Sequence, residues 1–142
     1  MTMTAEATTP ETVHRDIPSI ARLPKRRDFL RVAAEKRRWA APGLVLQAAP
    51  VPDDANVPTA EIRVGFTATR KIGDAVTRNR ARRRLRAAVR DVVPAQARTG
   101  LDYVVIARAT TANRKFDALV CDLVTALKRC DALTETRAEP GT

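Results

Sequence analysis

Between residues 62 and 90 the chain carries ten cations, Arg63, Arg70, Lys71, Arg78, Arg80, Arg82, Arg83, Arg84, Arg86 and Arg90, against one acid, Asp74. The same stretch must also fold. Residues 61–69 alternate, with Ile62, Val64, Phe66 and Ala68 on one side and Arg63, Gly65, Thr67 and Thr69 on the other, the pattern of a strand with one buried face. After Gly73, Asp74 is placed to cap a helix running to Val93, where Pro94 follows. At about 100° per residue, Ala81, Leu85, Ala88, Val89 and Val92 form one stripe of that helix, and Asn79, Arg82, Arg83, Arg86 and Arg90 gather nearly opposite. Like charges at helical spacing repel by a few tenths of a kcal/mol per pair, so the cationic face calls for an anionic partner. Apart from Lys71, the cations from Arg70 onward are all Arg, whose planar fork binds phosphate through two parallel hydrogen bonds and stacks on bases.

The rest of the composition narrows the partner. A chain of 142 residues with a net charge of +10, 44% hydrophobic and only 4% aromatic, suits one domain with an aliphatic core and a polyanion to bind. The longest unbroken aliphatic run is Val104-Val105-Ile106-Ala107, far short of the roughly 20 residues that cross a bilayer. The N-terminus carries Glu6, Glu11 and Asp16 and lacks an apolar stretch behind basic residues, so a secretion signal or transit peptide does not fit and a cytoplasmic protein is expected. Cys121 and Cys130, nine apart on one expected helix, lie on different turns and cannot bridge. They read as free cysteines.

Residues 1–21, Thr-rich with Pro10 and Pro18, read as a mobile extension, and 133–142 as a mobile tail, leaving one folded domain over 22–132. Within it, residues 28–39 read as a helix with Phe29, Val32 and Ala33 on one face and Trp39 as a packing anchor at its end, stopped by Pro42-Gly43. Residues 44–49 suit a strand, and 49–58, with three prolines and Asp53-Asp54, a loop. Residues 101–108 read as a buried strand. Residues 114–130 read as a last amphipathic helix, with Phe116, Leu119, Val120, Leu123, Val124 and Leu127 as its stripe. The sum is a small α+β sandwich.

Catalysis by the protein alone would need paired carboxylates, a general base or a metal cluster. His14 is the sole histidine and falls in the extension. The acids Asp28, Glu35, Asp53, Asp54, Glu61, Asp74, Asp91 and Asp102 are scattered. Gly73 near Lys71 lacks the glycine series of a phosphate loop. What remains is a binding protein, with a ribosomal-type or helix-in-groove DNA module as the alternative, for Asn79 amid arginines could read a base edge.

The ordered set of motifs is more specific than any of its parts. RVGFTATRKIGDAVTRNRARRRLRAAVR, from Arg63 to Arg90, resembles the signature of the bacterial ribonuclease P protein subunit. RLPKRRDFLRV from Arg22 resembles that family's first helix with its Asp-Phe pair, residues 44–47 its first strand, and LDYVVIARA from Leu101 its Asp-Tyr strand. The resemblance covers residues 22–130. It implies an αβββαβα fold in which the basic helix enters by a left-handed βαβ crossover, against the usual right-handed rule. It also implies a partner, a catalytic RNA that uses Mg²⁺ to cut the 5′ leader from precursor tRNA, with the protein monomeric in a 1:1 complex and itself non-catalytic.

By motif match, Lys71, Arg78, Asn79, Arg80 and Arg82 would face the catalytic RNA. Phe29, Gln47, Thr67, Thr69, Arg70, Arg83 and Arg86 would line a cleft for the leader. Where many members have a second aromatic one turn after Phe29, this chain has Ala33; where a strand Tyr is common it has Gln47; and where Asn is usual it has Asp74. Weaker stacking in the cleft is the expected consequence. Asp74 is expected to cap its helix and is the one carboxylate there that could reach a Mg²⁺, with no firm metal site on the protein.

Overall fold

The computed structural model describes residues 18–35, 37–58 and 61–134. Its elements are β1 (Ser19–Arg22), α1 (Arg26–Ala34), β2 (Arg38–Ala40), β3 (Leu44–Pro50), β4 (Glu61–Thr67), α2 (Ala75–Gln96), β5 (Leu101–Ala107) and α3 (Phe116–Arg129), with 3₁₀ turns at Asp53–Ala55 and Arg70–Ile72. One five-stranded mixed sheet runs in the order β1-β4-β5-β3-β2. β4 pairs in parallel with both β1 and β5, and β3 is antiparallel to β5 and β2. From α1 onward the order is αβββαβα, with α2 the crossover between the parallel neighbours β4 and β5.

Strand alternation assigns the two faces. Leu44, Leu46 and Ala48 of β3, Ile62 and Val64 of β4, and Leu101, Tyr103 and Val105 of β5 point one way. There they meet Ala81, Leu85, Ala88, Val89 and Val92 of α2 and Leu119, Leu123, Ala126 and Leu127 of α3. Each fully buried Leu or Val there is worth about 1.5–3 kcal/mol. On the other face Ala49, Val104 and half-buried Ile106 pack against Leu23, Val32 and half-buried Phe29, so α1 lies alone across the sheet. The α2 stripe is thus the one its sequence implies. In α3 the burial centres on Leu119, Leu123, Ala126 and Leu127, with Phe116, Val120 and Val124 only half buried beside them.

Several boundaries differ from the sequence reading, each for a local reason. α1 ends at Ala34, because Glu35 turns to an extended conformation while its N–H still reaches the Val32 carbonyl. Trp39 therefore stands in β2, opposite Leu46, and Pro42-Gly43 turns a hairpin rather than stopping a helix, with the Ala41 N–H on the Leu44 carbonyl at 2.8 Å. β4 ends at Thr67, and Thr69 leads into the 3₁₀ turn. α2 continues past Val93 with Pro94 inside it; in the last turn a proline disturbs few of the helix's own bonds, and the Ala97 N–H closes the end on the Val93 carbonyl. Residues 19–21 of the expected extension form a strand with Arg22, in register with residues 61–64 of β4. At the other end Leu133 bridges Ala97 and the Thr134 N–H meets the Gln96 carbonyl at 2.7 Å, so the tail's first two residues are docked. Residues 1–17 and 135–142 of the two expected extensions lie outside the described residues. Cys121 is exposed and Cys130 buried, both free.

Candidate nucleic-acid interface

The site is built on the junction of β4 and α2. Gly73, with φ 148°, makes the turn that only glycine takes readily, and a Cβ there would run into the Thr77 side chain. Asp74 follows as N-cap, its Oδ1 accepting the Thr77 N–H at 2.9 Å. That backbone bond, first among the causes, holds the exposed Asp74 carboxyl below the ordinary aspartate range. Lys71 and Arg70 stand exposed on the preceding 3₁₀ turn.

Not all ten cations are free for a ligand. Arg63 gives two hydrogen bonds to the fully buried Asp102, at 2.9 and 2.7 Å, and Arg31 of α1 gives a third at 2.6 Å. The Asp102 hydrogen bond is the main cause that raises the Arg63 pKa. Arg84 donates to the Thr111 carbonyl at 3.1 Å and to the Arg114 carbonyl, tying α2 to the loop before α3. Arg63 and Arg84 are therefore structural. Arg78 is half buried, with one guanidinium nitrogen 3.4 Å from the Gly73 carbonyl.

Asn79, Arg80, Arg83, Arg86 and Arg90 are exposed. Asn79 accepts from Arg82 at 3.1 Å, which presets one arginine of the row. Val76, at 76% exposure, shares their ridge at i, i+3, i+4 and i+7 with Asn79, Arg80 and Arg83. An apolar side chain placed so openly among cations suits a partner surface, and only its exposure in the folded state reveals it.

Beside this ridge a groove of about 600 Å³ runs along the edge of the sheet where β1 leaves β4 and the chain turns into α1. Phe29, Phe66, Arg82, Arg86 and Arg90 line it, together with Leu23, Val64, Gly65 and residues 20–22 of β1. Arg86 lies over the Phe66 ring, 5.5 Å from its centroid. The Phe29 ring rests on Gly65, where any Cβ would sit 2.5 Å from Cε2 and nearer still to Cζ. A flat aromatic, a second aromatic and three arginines along a groove combine stacking surface with phosphate-binding charge.

Of the residues expected in a cleft, the groove brings together Phe29 and Arg86, and it adds Arg82, expected on the other surface. Gln47 is on the same sheet face as Phe29, but only 6% of its surface is exposed. Thr67 lies one row further along that face, opposite Ile106, while Thr69, Arg70 and Arg83 are exposed outside the groove. Sequence reasoning missed Phe66 and Arg90 as lining residues; the signal for Phe66 was a large aromatic at the end of an otherwise aliphatic inward row. Among the described residues no three of His, Cys, Asp and Glu stand together as metal ligands, and no helix is long and apolar enough to cross a membrane.

Residues 17–131 match the family model of ribonuclease P. The chain belongs to the ribonuclease P protein family. A ribonuclease P protein component of Paramagnetospirillum magneticum is 57% identical over 117 residues, 82% of this chain and 87% of that one. The RNase P protein from Thermotoga maritima superimposes with a TM-score of 0.61 at 28% identity, covering 76% of this chain and 96% of that one. That of Staphylococcus aureus does so at 0.64 and 22% identity, covering 80% and 97%, and shares the fold. The chain is thus a subunit of ribonuclease P, an endoribonuclease complex, and the ribosomal-type or DNA-binding module gives way to it.

Proposed function

We propose that this subunit holds the catalytic RNA of ribonuclease P with the start of α2 and the 5′ leader of precursor tRNA with the adjoining groove, promoting maturation of the tRNA 5′ end. Lys71, Arg78, Asn79, Arg80 and Arg82 form the RNA-facing set. Phe29 and Arg86 stack and neutralise the leader inside the groove, and Gln47, Thr67, Thr69, Arg70 and Arg83 border its path. The chemistry belongs to the RNA and the Mg²⁺ it uses, while Asp74 serves the helix cap. The protein acts as a monomer, one per RNA, in the cytoplasm. The observation that carries this reading is the groove itself, with Phe29, Phe66, Arg82 and Arg86 beside an exposed cationic ridge.

Each phosphate neutralised by an arginine releases condensed counterions, so affinity falls with salt by about 0.7 log units per phosphate for a single strand. Stacking adds about 1–3 kcal/mol per base without regard to sequence, which suits leaders of many sequences. The test is cleavage of a precursor tRNA at low Mg²⁺ by the protein, by the cognate catalytic RNA, and by both. Leader release much faster in the mixture than with the RNA alone, and none with the protein alone, is the expected result. A mixture no faster than the RNA, or cleavage by the protein alone, would overturn it.

A further inference from the structure

The opposite edge of the sheet carries a second cationic and aromatic surface that neither the groove nor the α2 ridge uses. β2 is the outermost strand, and all three of its residues are exposed. Arg37, whose carbonyl accepts the Ala48 N–H at 3.0 Å, extends it by one residue, so alternation puts Arg37 on the side of Trp39 and Arg38 on the other. Trp39 keeps 37% of its surface in solvent. Arg129, at the end of α3, lies over its ring, 5.0 Å from the centroid, with exposed Lys128 beside it. Arg129 thus covers one open indole, with Arg37 on the same side of the strand and Lys128 next to Arg129 on α3. Of the neighbouring acids, Glu35 is exposed before the strand, and the Asp131 carboxylate is turned to Arg98 at 3.6 Å.

We infer that this edge is a second RNA-binding site, in which an unpaired base stacks on Trp39 and the flanking phosphates pair with Arg37, Lys128 and Arg129. The charge selects a polyanion, and the open indole selects one with a flat ring to stack. From β4 to β2 there are three strand spacings, about 14 Å, so the nucleotide held here is a different one from that in the groove. This second site is independent of which RNA the α2 surface binds.

Trp39 is the chain's one tryptophan, which makes its fluorescence a local probe of the full-length protein. A short oligouridylate is titrated into the protein and into the Arg82→Ala/Arg83→Ala/Arg86→Ala variant, with inorganic polyphosphate of matched charge as the comparison. Saturable quenching that persists in the α2 variant and is weaker with polyphosphate is expected. In the same background Arg37→Ala/Arg129→Ala flattens the salt slope by about 1.4 log units, two phosphates at 0.7 each. Trp39→Leu, followed with a labelled oligonucleotide, weakens binding about tenfold. The inference fails if the oligonucleotide leaves Trp39 unchanged, if quenching vanishes in the α2 variant, or if polyphosphate quenches as strongly. Circular dichroism melting of each variant confirms that it is folded, and the unaltered protein with the two polyanions decides the matter even if one is not.

Discussion

Replacing Gly65 with Ala tests the floor of the groove directly. The backbone there is ordinary strand, so the added methyl meets no conformational barrier, but it would sit 2.5 Å from Cε2 of Phe29 and closer to Cζ. The ring has to move by about an ångström or more to reach normal carbon–carbon separation, and overpacking of this kind costs about 1–3 kcal/mol. Against that stands the gain of about 0.4–1 kcal/mol for removing a glycine from the unfolded chain. With Phe29→Ala already in place the obstacle is gone, apart from Leu23 Cβ at 3.3 Å, and the second substitution should be near neutral. The two changes should therefore couple by about 1 kcal/mol or more in a double-mutant cycle of urea denaturation midpoints at constant slope. Either single change should also weaken binding of a single-stranded leader oligonucleotide, since each takes the ring from its place. Equal effects of Gly65→Ala in both backgrounds, with coupling below about 0.5 kcal/mol, would refute the packing of Phe29 on Gly65 and with it the platform.

Asp102→Asn leaves the Arg63 and Arg31 guanidinium groups without their shared buried carboxylate; the cost is about 3–5 kcal/mol, read as a Tm lower by roughly 10–20 °C, and a loss under about 3 °C would show the cluster to be dispensable. Cys130, buried and with its thiol pushed up to about 11 chiefly by desolvation, should resist alkylation at pH 8 while exposed Cys121 reacts. One equivalent is modified in the native protein and two in denaturant, and two in the native protein would contradict the packing. The Asp74 cap has a lowered pKa in the folded state, so its support for α2 is present above the unfolded aspartate value and fades as pH falls through the lowered one. Asp74→Asn should keep the cap and flatten that acid dependence; an unchanged acid limb in the thermal melts would exclude this group as its source.

The long, periodic elements were legible and the short, tertiary ones were not. The stripe of Ala81, Leu85, Ala88, Val89 and Val92 recurs along the helix, and local periodicity decides it. β1 has four residues with one large apolar side chain, Ile20, and becomes a strand only because β4 offers it a parallel edge. Trp39 fits the helical spacing of α1, yet pairing with β3 outweighs that pattern after Glu35 turns. At the site, the outward face of α2 was readable from charge alone, whereas the fate of Arg63 and Arg84 depended on partners 39 and 27 residues away. The same holds for Phe66, whose place under Arg86 joins two elements and leaves no mark in the spacing of either.

The central claim is that the exposed arginines of α2 and the groove meet RNA phosphates. The most direct measurement is the affinity for the cognate catalytic RNA as a function of salt, for the protein and for Arg82→Ala/Arg86→Ala. The account predicts weaker binding and a log–log salt slope shallower by about one unit for each phosphate that the variant no longer neutralises. Weaker binding with an unchanged slope, or no change in either, would contradict it.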